Sequence, residues 1–237
     1  MGSAEHDRVL LITGASSGIG AATARAAAGS YRLVLAARRE QELAALAAEL
    51  GGPERAIAVA CDVTEWDQVQ ALAATALERF GRIDAVFANA GFGATRGFLE
   101  ESPEHWRSMV LTNVYGVALT IRATLPHLLE RGDGHFLVTS SIAGRVALPG
   151  SLYSATKWAA TAIGESLRAE LRQMHQNTGI KVTLIEPGMV DTPFFDNSPG
   201  ETALRDSDIA KAVMYALEQG PGVDVNEILI RPTVQPG

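Results

Sequence analysis

The chain alternates short, continuously apolar runs with longer segments in which apolar residues recur every three or four positions. The runs predict strands at Val9–Thr13, Leu33–Ala37, Ala56–Cys61, Ile83–Ala88, His135–Ser140, Lys181–Glu186 and Asn226–Ile230. Because successive residues are apolar, and not alternate ones, this pattern is typical of strands that are buried on both faces of a parallel sheet.

The segments between these runs predict helices. Ser102, Pro103 and Glu104 form a favourable helix start, since they supply a capping hydroxyl, a proline at the first helical position and an acid at the positive end. Pro126 should bend that helix. The predicted helices that bear on the site span 41–50, 102–131 and 153–176.

This alternation predicts an α/β fold, namely a single-domain Rossmann fold with a doubly wound, mainly parallel, seven-stranded sheet and helices on both faces. The 237 residues suffice to bury one large core, so we expect residues 1–237 to form one domain. Residues 191–205 interrupt the pattern with Pro, Gly, Asp, Asn and two adjacent phenylalanines. We expect them to form a mobile substrate loop.

Composition excludes several classes of function. The formal net charge of −7 makes nucleic acids and acidic membranes poor partners, and no apolar run approaches the ~18 residues needed to span a bilayer. The one cysteine, Cys61, permits no intrachain disulfide, and the five histidines show no metal-ligand spacing, so no metal site is predicted. The first residues lack the apolar core of a secretory signal, and we expect a cytoplasmic protein.

A glycine-rich turn follows the first predicted strand and opens an alanine-rich helix. Glycines there let the backbone turn tightly and approach a pyrophosphate, while the helix N-terminus offers free N–H groups and a positive dipole. Glycine clusters alone are weak signals, but this strand–turn–helix context is the one that a dinucleotide site requires. The candidate contacts are Gly14, Ser16, Ser17, Gly18, Ile19 and Gly20.

The second predicted strand ends in Ala37, where an NAD-specific enzyme usually has an acid that binds the ribose 2′-hydroxyl. Arg38 and Arg39 follow, and a guanidinium suits a 2′-phosphate in both charge and geometry. We therefore expect NADP(H) as the cofactor, with Arg38 as the main contact and Arg39 as a second candidate. The alternative is a pair of solvated arginines at a helix start.

Tyr153 and Lys157 stand four residues apart, which places a phenol and an ammonium on one face of a helix. A free tyrosine has a pKa of about 10 and is a poor base near neutrality, and a nearby cation would lower that pKa. Such pairs are common on ordinary helices. This one follows a predicted strand that ends near Ser140 and Ser141, and parallel sheets bind ligands at such strand ends.

Taken together, these motifs resemble those of the short-chain dehydrogenase/reductase family over nearly the whole chain. The resemblance implies that Tyr153 is the acid–base residue, that Lys157 tunes it and holds the nicotinamide ribose, and that Asn113 supports a water relay. It also implies a serine that orients the substrate oxygen. The family's Ser-x-Ala-Gly pattern selects Ser141, whereas its usual serine-to-tyrosine spacing selects Ser140, and we favour Ser141.

The same resemblance implies further cofactor contacts. Asp62 would meet the adenine, although it could instead cap the next helix. Ala88 stands where the family has the first asparagine of Asn-Asn-Ala-Gly, and whatever that amide does must be lost or replaced. The implied contacts are Asp62, Val63, Asn89, Ala90, Gly91, Tyr153, Lys157, Pro187, Gly188, Val190 and Thr192.

The predicted reaction is hydride transfer between NADP(H) and a carbonyl or secondary alcohol, a ketoreductase activity in which Tyr153 exchanges the proton. The alternatives are a dehydratase or epimerase on the same scaffold and a nucleotide-sensing binding protein. Family members usually form homodimers or homotetramers through their two long helices, which are apolar enough here. The candidate substrate contacts, which favour an apolar or aromatic small molecule, are Ser141, Phe92, Leu148, Phe194 and Phe195.

Overall fold

The computed structural model describes residues 8–177, 179–194, 200 and 202–235. The strands are β1 (Val9–Thr13), β2 (Arg32–Ala37), β3 (Ala56–Ala60), β4 (Ala85–Ala88), β5 (Gly134–Thr139), β6 (Ile180–Pro187), β7 (Val190–Asp191), β8 (Leu204–Arg205) and β9 (Glu227–Ile230). The α-helices are α1 (Gly18–Ala27), α2 (Glu40–Glu49), α3 (Trp66–Phe80), α4 (Pro103–Val110), α5 (Gly116–Arg131), α6 (Leu152–Gln173) and α7 (Asp206–Leu217).

The main sheet has seven strands in the order β3-β2-β1-β4-β5-β6-β9, and each neighbouring pair is parallel. This confirms the predicted Rossmann fold. The strand order reverses direction between β1 and β4, so the crevice at their carboxyl ends is where such sheets bind ligands. The functional residues discussed below follow these strand ends.

Two apolar layers enclose the sheet, because successive residues of a strand point to opposite faces. Val9 and Leu11 of β1 pack into the layer that α3, α5 and α6 cover. Leu10 and Ile12 pack into the layer that α1, α2 and α7 cover. The continuous apolar runs of the sequence are therefore explained by burial on both sides.

The predicted helix over residues 102–131 is divided into α4 and α5. A π-helical turn, Leu111–Tyr115, joins the two, and Gly132 ends α5 in a left-handed conformation with φ of 79°. Ser102 caps α4 as predicted, accepting a hydrogen bond from the backbone N–H of His105 at 3.1 Å. Single π turns recur at functional sites, and this one contains Asn113.

The predicted substrate loop, 191–205, starts and ends at a short parallel pair formed by β7 and β8. Residues 195–199 and 201 lie outside the described residues, so the loop's mobility stays a prediction. Across the part of the chain that the structure describes, none of the helices has the length and apolar character needed to span a bilayer. Leu111, Tyr115 and Trp158 are exposed on the long helical segments, and the homo-oligomer also stays a prediction.

Candidate active site

The glycine-rich turn lies between β1 and α1 at the carboxyl edge of the sheet. Gly14 and Gly18 have left-handed backbones, with φ of 67° and 51°. A Cβ at Gly14 would come within 2.8 Å of the Cα of Ala90, and one at Gly18 within 3.2 Å of Thr192. Glycine alone fits this closely packed turn, and the first residues of α1 line the adjoining cavity.

Asn89 ties three strand ends together beside this turn. Its Nδ2 donates to the carbonyl oxygen of Thr13 at 3.2 Å, and its Oδ1 accepts from the hydroxyl of Thr139 at 3.0 Å. The hydroxyl oxygen of Thr13 in turn accepts the backbone N–H groups of Asn89 and Ala90. These bonds connect β1, β4 and β5, although the buried Ala88 replaces the family's first asparagine.

The two arginines after β2 lie in different surroundings. The Arg39 guanidinium donates to the hydroxyls of Ser16 at 2.9 Å and Ser17 at 2.6 Å, over the glycine-rich turn. Its nearest carboxylate among the described residues is that of Glu42, at 3.9 Å. Arg38 is exposed and lines a separate depression. The charge of Arg39 is therefore bound mainly by neutral groups and stays available to an anion.

Asp62 lines the same depression as Arg38 and does not cap α3. Its Oδ1 accepts from the backbone N–H and the hydroxyl of Thr64, at 3.0 and 2.8 Å, whereas the cap position of α3 is Glu65. Val63 is buried and packs against Gly116 of α5. The Val63 side chain thus belongs to the core, which leaves only its backbone for a ligand.

Tyr153 and Lys157 lie on the first turns of α6, a helix that Ser151 caps with its hydroxyl. Lys157 is buried, and its Nζ donates to the carbonyl oxygen of Thr139 at 2.9 Å. The same Nζ lies 5.7 Å from the centroid of the Tyr153 ring. The four-residue spacing therefore does bring the phenol and the ammonium to one face, next to the end of β5.

Burial dominates the proton affinities of this pair. It raises the pKa of Tyr153 to about 12, against a smaller opposing effect of the nearby Ser141 hydroxyl. Burial also lowers the pKa of Lys157 to about 8. The lysine is not among the causes of this shift, since its ammonium is directed at a carbonyl oxygen, and the tuning of Tyr153 by Lys157 stays a prediction. A phenol of this kind keeps its proton at neutral pH.

The adjacent serines point in opposite directions, as neighbours at a strand end do. The hydroxyl of Ser140 donates to the carbonyl oxygen of Lys157 at 3.0 Å and is thereby occupied by the helix. The hydroxyl of Ser141 donates to the carbonyl oxygen of Pro187 at 3.3 Å, and Ser141 lines the cavity together with Tyr153, whose pKa it acts to lower. The geometry thus favours Ser141 as the partner of the tyrosine.

Asn113 is buried in the π turn, and both its amide oxygen and its amide nitrogen form hydrogen bonds. Its Oδ1 accepts the backbone N–H of Phe92 at 3.0 Å, and its Nδ2 donates to the Phe92 carbonyl at 2.9 Å and to the Thr156 hydroxyl at 3.1 Å. A Cβ at Gly91 would lie 3.0 Å from this Oδ1 and 3.7 Å from Nζ of Lys157. Asn113 therefore fixes the turn after β4 beside the lysine.

A cavity of about 350 Å³ collects most of the predicted residues. Phe194 closes against Tyr153 with an edge-on ring contact, the centroids lying 5.6 Å apart. The predicted residues that line the cavity are Gly14, Ser17, Gly18, Ile19, Asn89, Gly91, Phe92, Ser141, Leu148, Tyr153, Lys157, Pro187, Gly188, Val190, Thr192 and Phe194. Those absent from its lining are Ser16, Gly20, Arg38, Arg39, Asp62, Val63, Ala90 and Asn113. Phe195 lies outside the described residues.

The sequence patterns do not predict Arg145, which anchors the turn that follows Ser141. Its guanidinium binds Glu186 at 2.9 Å and Glu227 at 2.5 Å. Glu186 is completely buried; burial raises the pKa of this carboxyl, and Arg145 opposes that shift. No local signal could have found this pair, since 41 positions separate the two residues.

Gln235, near the end of the described chain, lines the cavity and is a second residue that the sequence patterns do not predict. Its Oε1 accepts the backbone N–H of Met189 at 2.8 Å and so supports the turn after β6. Gly188 donates its N–H to the carbonyl of Ile230 at 2.7 Å. The Pro-Gly turn that was predicted as a cofactor contact is thus fixed by hydrogen bonds to the C-terminal segment of the described chain.

This site has counterparts among known proteins. Residues 8–202 match the family described as short chain dehydrogenase. The chain belongs to this family. An uncharacterised oxidoreductase of Staphylococcus haemolyticus is 42% identical over 231 residues, which cover 96% of this chain and 98% of the relative. This short-chain dehydrogenase is accordingly an oxidoreductase with a nicotinamide-cofactor site.

Solved structures of the family are similar over almost the full length. An alcohol dehydrogenase from the archaeon Thermococcus sibiricus, in complex with 5-hydroxy-NADP, is 34% identical with a TM-score of 0.85, covering 97% of this chain and 98% of that one. Serine dehydrogenase from Escherichia coli is 27% identical with a TM-score of 0.86, covering 97% of this chain and all 100% of that one.

Proposed function

We propose that this short-chain dehydrogenase transfers a hydride between NADP(H) and a carbonyl or secondary alcohol, with Tyr153 as the general acid and base. The observation that carries the proposal is the cluster at the start of α6. There the phenol of Tyr153 is adjacent to the buried ammonium of Lys157, whose Nζ lies 5.7 Å from the centroid of the tyrosine ring, and Ser141 follows the end of the neighbouring strand β5. All three line the cavity that the glycine-rich turn also lines.

The residues present fit a nicotinamide dinucleotide. Glycines in left-handed conformations and the N-terminus of α1 form a cradle for a pyrophosphate. At the end of β2, Arg38 and Arg39 offer cations, and Ala37 stands where an NAD-specific enzyme usually has an acid, which favours the 2′-phosphate of NADP(H) over a free ribose hydroxyl. The NADP derivative bound by the Thermococcus relative agrees with this choice. When bound, the nicotinamide group supplies or takes up the hydride.

The protein's own residues then handle the substrate oxygen and its proton. The Ser141 hydroxyl holds that oxygen by a hydrogen bond. Tyr153 gives its proton to the oxygen when a carbonyl is reduced and takes a proton back when an alcohol is oxidised. At neutral pH the phenol carries the proton that a carbonyl oxygen would receive. Asn113 and Arg145 position the turns on either side.

A panel of ketones, aldehydes and secondary alcohols tests the proposal, with absorbance at 340 nm followed in NADPH and in NADH. We expect turnover with NADPH for at least one carbonyl class. Tyr153→Phe should lower kcat by about a thousandfold, within the range for loss of a positioned acid. It should keep NADPH affinity, measured by fluorescence titration. A fully active Tyr153→Phe enzyme would falsify the mechanism.

The two serines provide a matched control for the same assay. Ser141→Ala removes the hydroxyl that faces Tyr153, whereas Ser140→Ala removes one that is bonded to the backbone of α6. We expect the larger loss of kcat for Ser141→Ala. Tight NADPH binding without turnover on any substrate would favour a nucleotide sensor, and water loss or epimerisation without net NADPH oxidation would favour the dehydratase or epimerase.

A further inference from the structure

One wall of the cavity is built by two loops, residues 91–97 after β4 and residues 148–151 before α6. The backbone N–H of Gly97 donates to the carbonyl oxygen of Gly150 at 2.8 Å. Both glycines are left-handed, with φ of 114° and 57°, and a Cβ at Gly150 would come within 2.8 Å of the Cα of Gly97. The loops therefore meet backbone to backbone.

Arg96 projects from this wall, and its backbone is held on both sides. The N–H of Thr95 donates to the carboxylate of Glu101 at 2.7 Å, and Gly97 is bonded to Gly150. Further along, the carbonyl of Gly93 lies 3.0 Å from Nε2 of His105. Arg96 thus stands on an anchored stretch of chain, and its side chain lines the cavity that contains Tyr153.

The charge of Arg96 has no partner among the residues that the structure describes, in contrast to the arginines bound to carboxylates elsewhere. Within the described part of the chain, the only other charged side chain that lines this cavity is that of Lys157, and no aspartate or glutamate does. The protein as a whole has a net charge of −7. A cationic cavity in an acidic protein selects an anionic ligand.

We propose that Arg96 binds a carboxylate of the substrate, and that the enzyme interconverts an oxo acid and the corresponding hydroxy acid. This inference rests on the proposed function. The guanidinium suits a carboxylate because it offers two parallel N–H donors. The carbonyl carbon receives the hydride from NADPH and its oxygen receives the proton of Tyr153, while the carboxylate is unchanged. Phe92 and Leu148 of the same wall, together with Phe194, accommodate the carbon chain.

Matched substrates test the assignment. The 2-oxo, 3-oxo and 4-oxo acids of one chain length are each compared with their methyl esters, in wild type and in Arg96→Met, by NADPH oxidation. Wild type should prefer one acid over its ester in kcat/KM. Arg96→Met should lower kcat/KM for that acid by about 10- to 100-fold, the range for a lost charged hydrogen bond. The loss should come mainly from KM and bring the acid-to-ester ratio close to one.

Two control variants sharpen the result. Lys211→Met removes a positive charge from α7, where Lys211 contacts only Asp208 among the described residues, and should keep the wild-type acid-to-ester ratio. Arg96→Lys should recover part of the preference for the acid. An Arg96→Met enzyme with the wild-type ratio overturns the inference while leaving the proposed function intact. Loss of NADPH affinity with an unchanged ratio would assign Arg96 to the cofactor and overturn it as well.

A binding measurement separates the inference from the proposed function. The NADP⁺-loaded enzyme is titrated calorimetrically with the three hydroxy acids and their methyl esters, in wild type and in Arg96→Met. Weaker binding of an acid to the variant supports the carboxylate site even if no carbonyl is turned over, in which case the reaction assignment fails alone. Equal binding of the acids to both proteins overturns the inference.

Discussion

Two arginines at the carboxyl edge of the sheet have opposite electrostatic surroundings. Arg145 is bound to two carboxylates, and one of them, Glu186, has a side chain only 1% exposed. Arg39 is half-exposed and held by the hydroxyls of Ser16 and Ser17. Both follow the carboxyl ends of strands or the turns after them, so position at this edge does not distinguish them.

Their partners do distinguish them. A guanidinium between two carboxylates has its charge compensated, and its main effect is to make burial of those carboxylates tolerable. A guanidinium on neutral hydroxyls keeps its charge for a ligand. The comparison therefore supports a structural role for Arg145, which holds the turn after Ser141, and agrees with the proposed role of Arg39 as a phosphate contact.

Among the variants that test this comparison, the largest loss of stability is expected for a substitution of Arg145. Arg145→Met leaves Glu186 buried and unpaired, and we expect it to lower the free energy of unfolding by about 3 kcal/mol, measured by urea denaturation at pH 8. Because the folded-state pKa of Glu186 then lies further above its unfolded value, the folded protein takes up the proton first. The loss should therefore be smaller at pH 5 than at pH 8.

The double variant Arg145→Met with Glu186→Gln is the control for that prediction. It removes the buried charge together with its partner and should recover part of the lost stability. A single variant as stable as wild type at pH 8 would contradict a structural role for Arg145, and would place it with Arg39 among the cations that serve a ligand.

A smaller effect is expected at Lys157, the buried cation that has a carbonyl as its partner. Its ordinary pKa of 10.5 is lowered to about 8 by burial. Between these values the unfolded chain keeps a proton that the folded protein has released, so stability rises with pH. Relative to Lys157→Met, wild type should gain on the order of 2 kcal/mol from pH 8 to pH 10 without cofactor. If the difference in unfolding free energy between the two proteins did not change with pH, the ammonium of Lys157 would not be destabilised by burial.

The smallest change in free energy is expected for substitutions of Arg38 and Arg39, the two arginines after β2. Arg38→Ala and Arg39→Ala should each raise the KM for NADPH about tenfold, the cost of one charged hydrogen bond, and should change the KM for NADH by less than twofold. Unfolding free energies should stay within about 0.5 kcal/mol of wild type, since these side chains are exposed. Equal losses with NADPH and NADH would mean that neither arginine recognises the 2′-phosphate.

The sequence alone was sufficient to predict the strands and helices. It was also sufficient to predict those groups of functional residues that lie only a few positions apart in the chain. The apolar runs predicted each of the seven strands of the main sheet to within two residues, because burial on both faces leaves a local signature. The glycine-rich turn and the Tyr153–Lys157 pair were readable for the same reason, since a turn or four helical residues fix their relative geometry. The helix predicted over 102–131 is present over residues 103–131, and only the π turn in its middle, which has no pattern of its own, was not predicted.

The tertiary structure decided which way each polar group points and which distant partner it meets. Ser140 and Ser141 are equivalent in sequence pattern, and only the packing of α6 against β5 turns one toward Tyr153. The Arg145–Glu186 pair joins segments that are far apart in the chain, and so does the wall on which Arg96 lies without a carboxylate partner among the described residues. Charge compensation acts through space over a few ångströms, so the chain itself determines which charges exist, and the fold determines which of them remain free to bind.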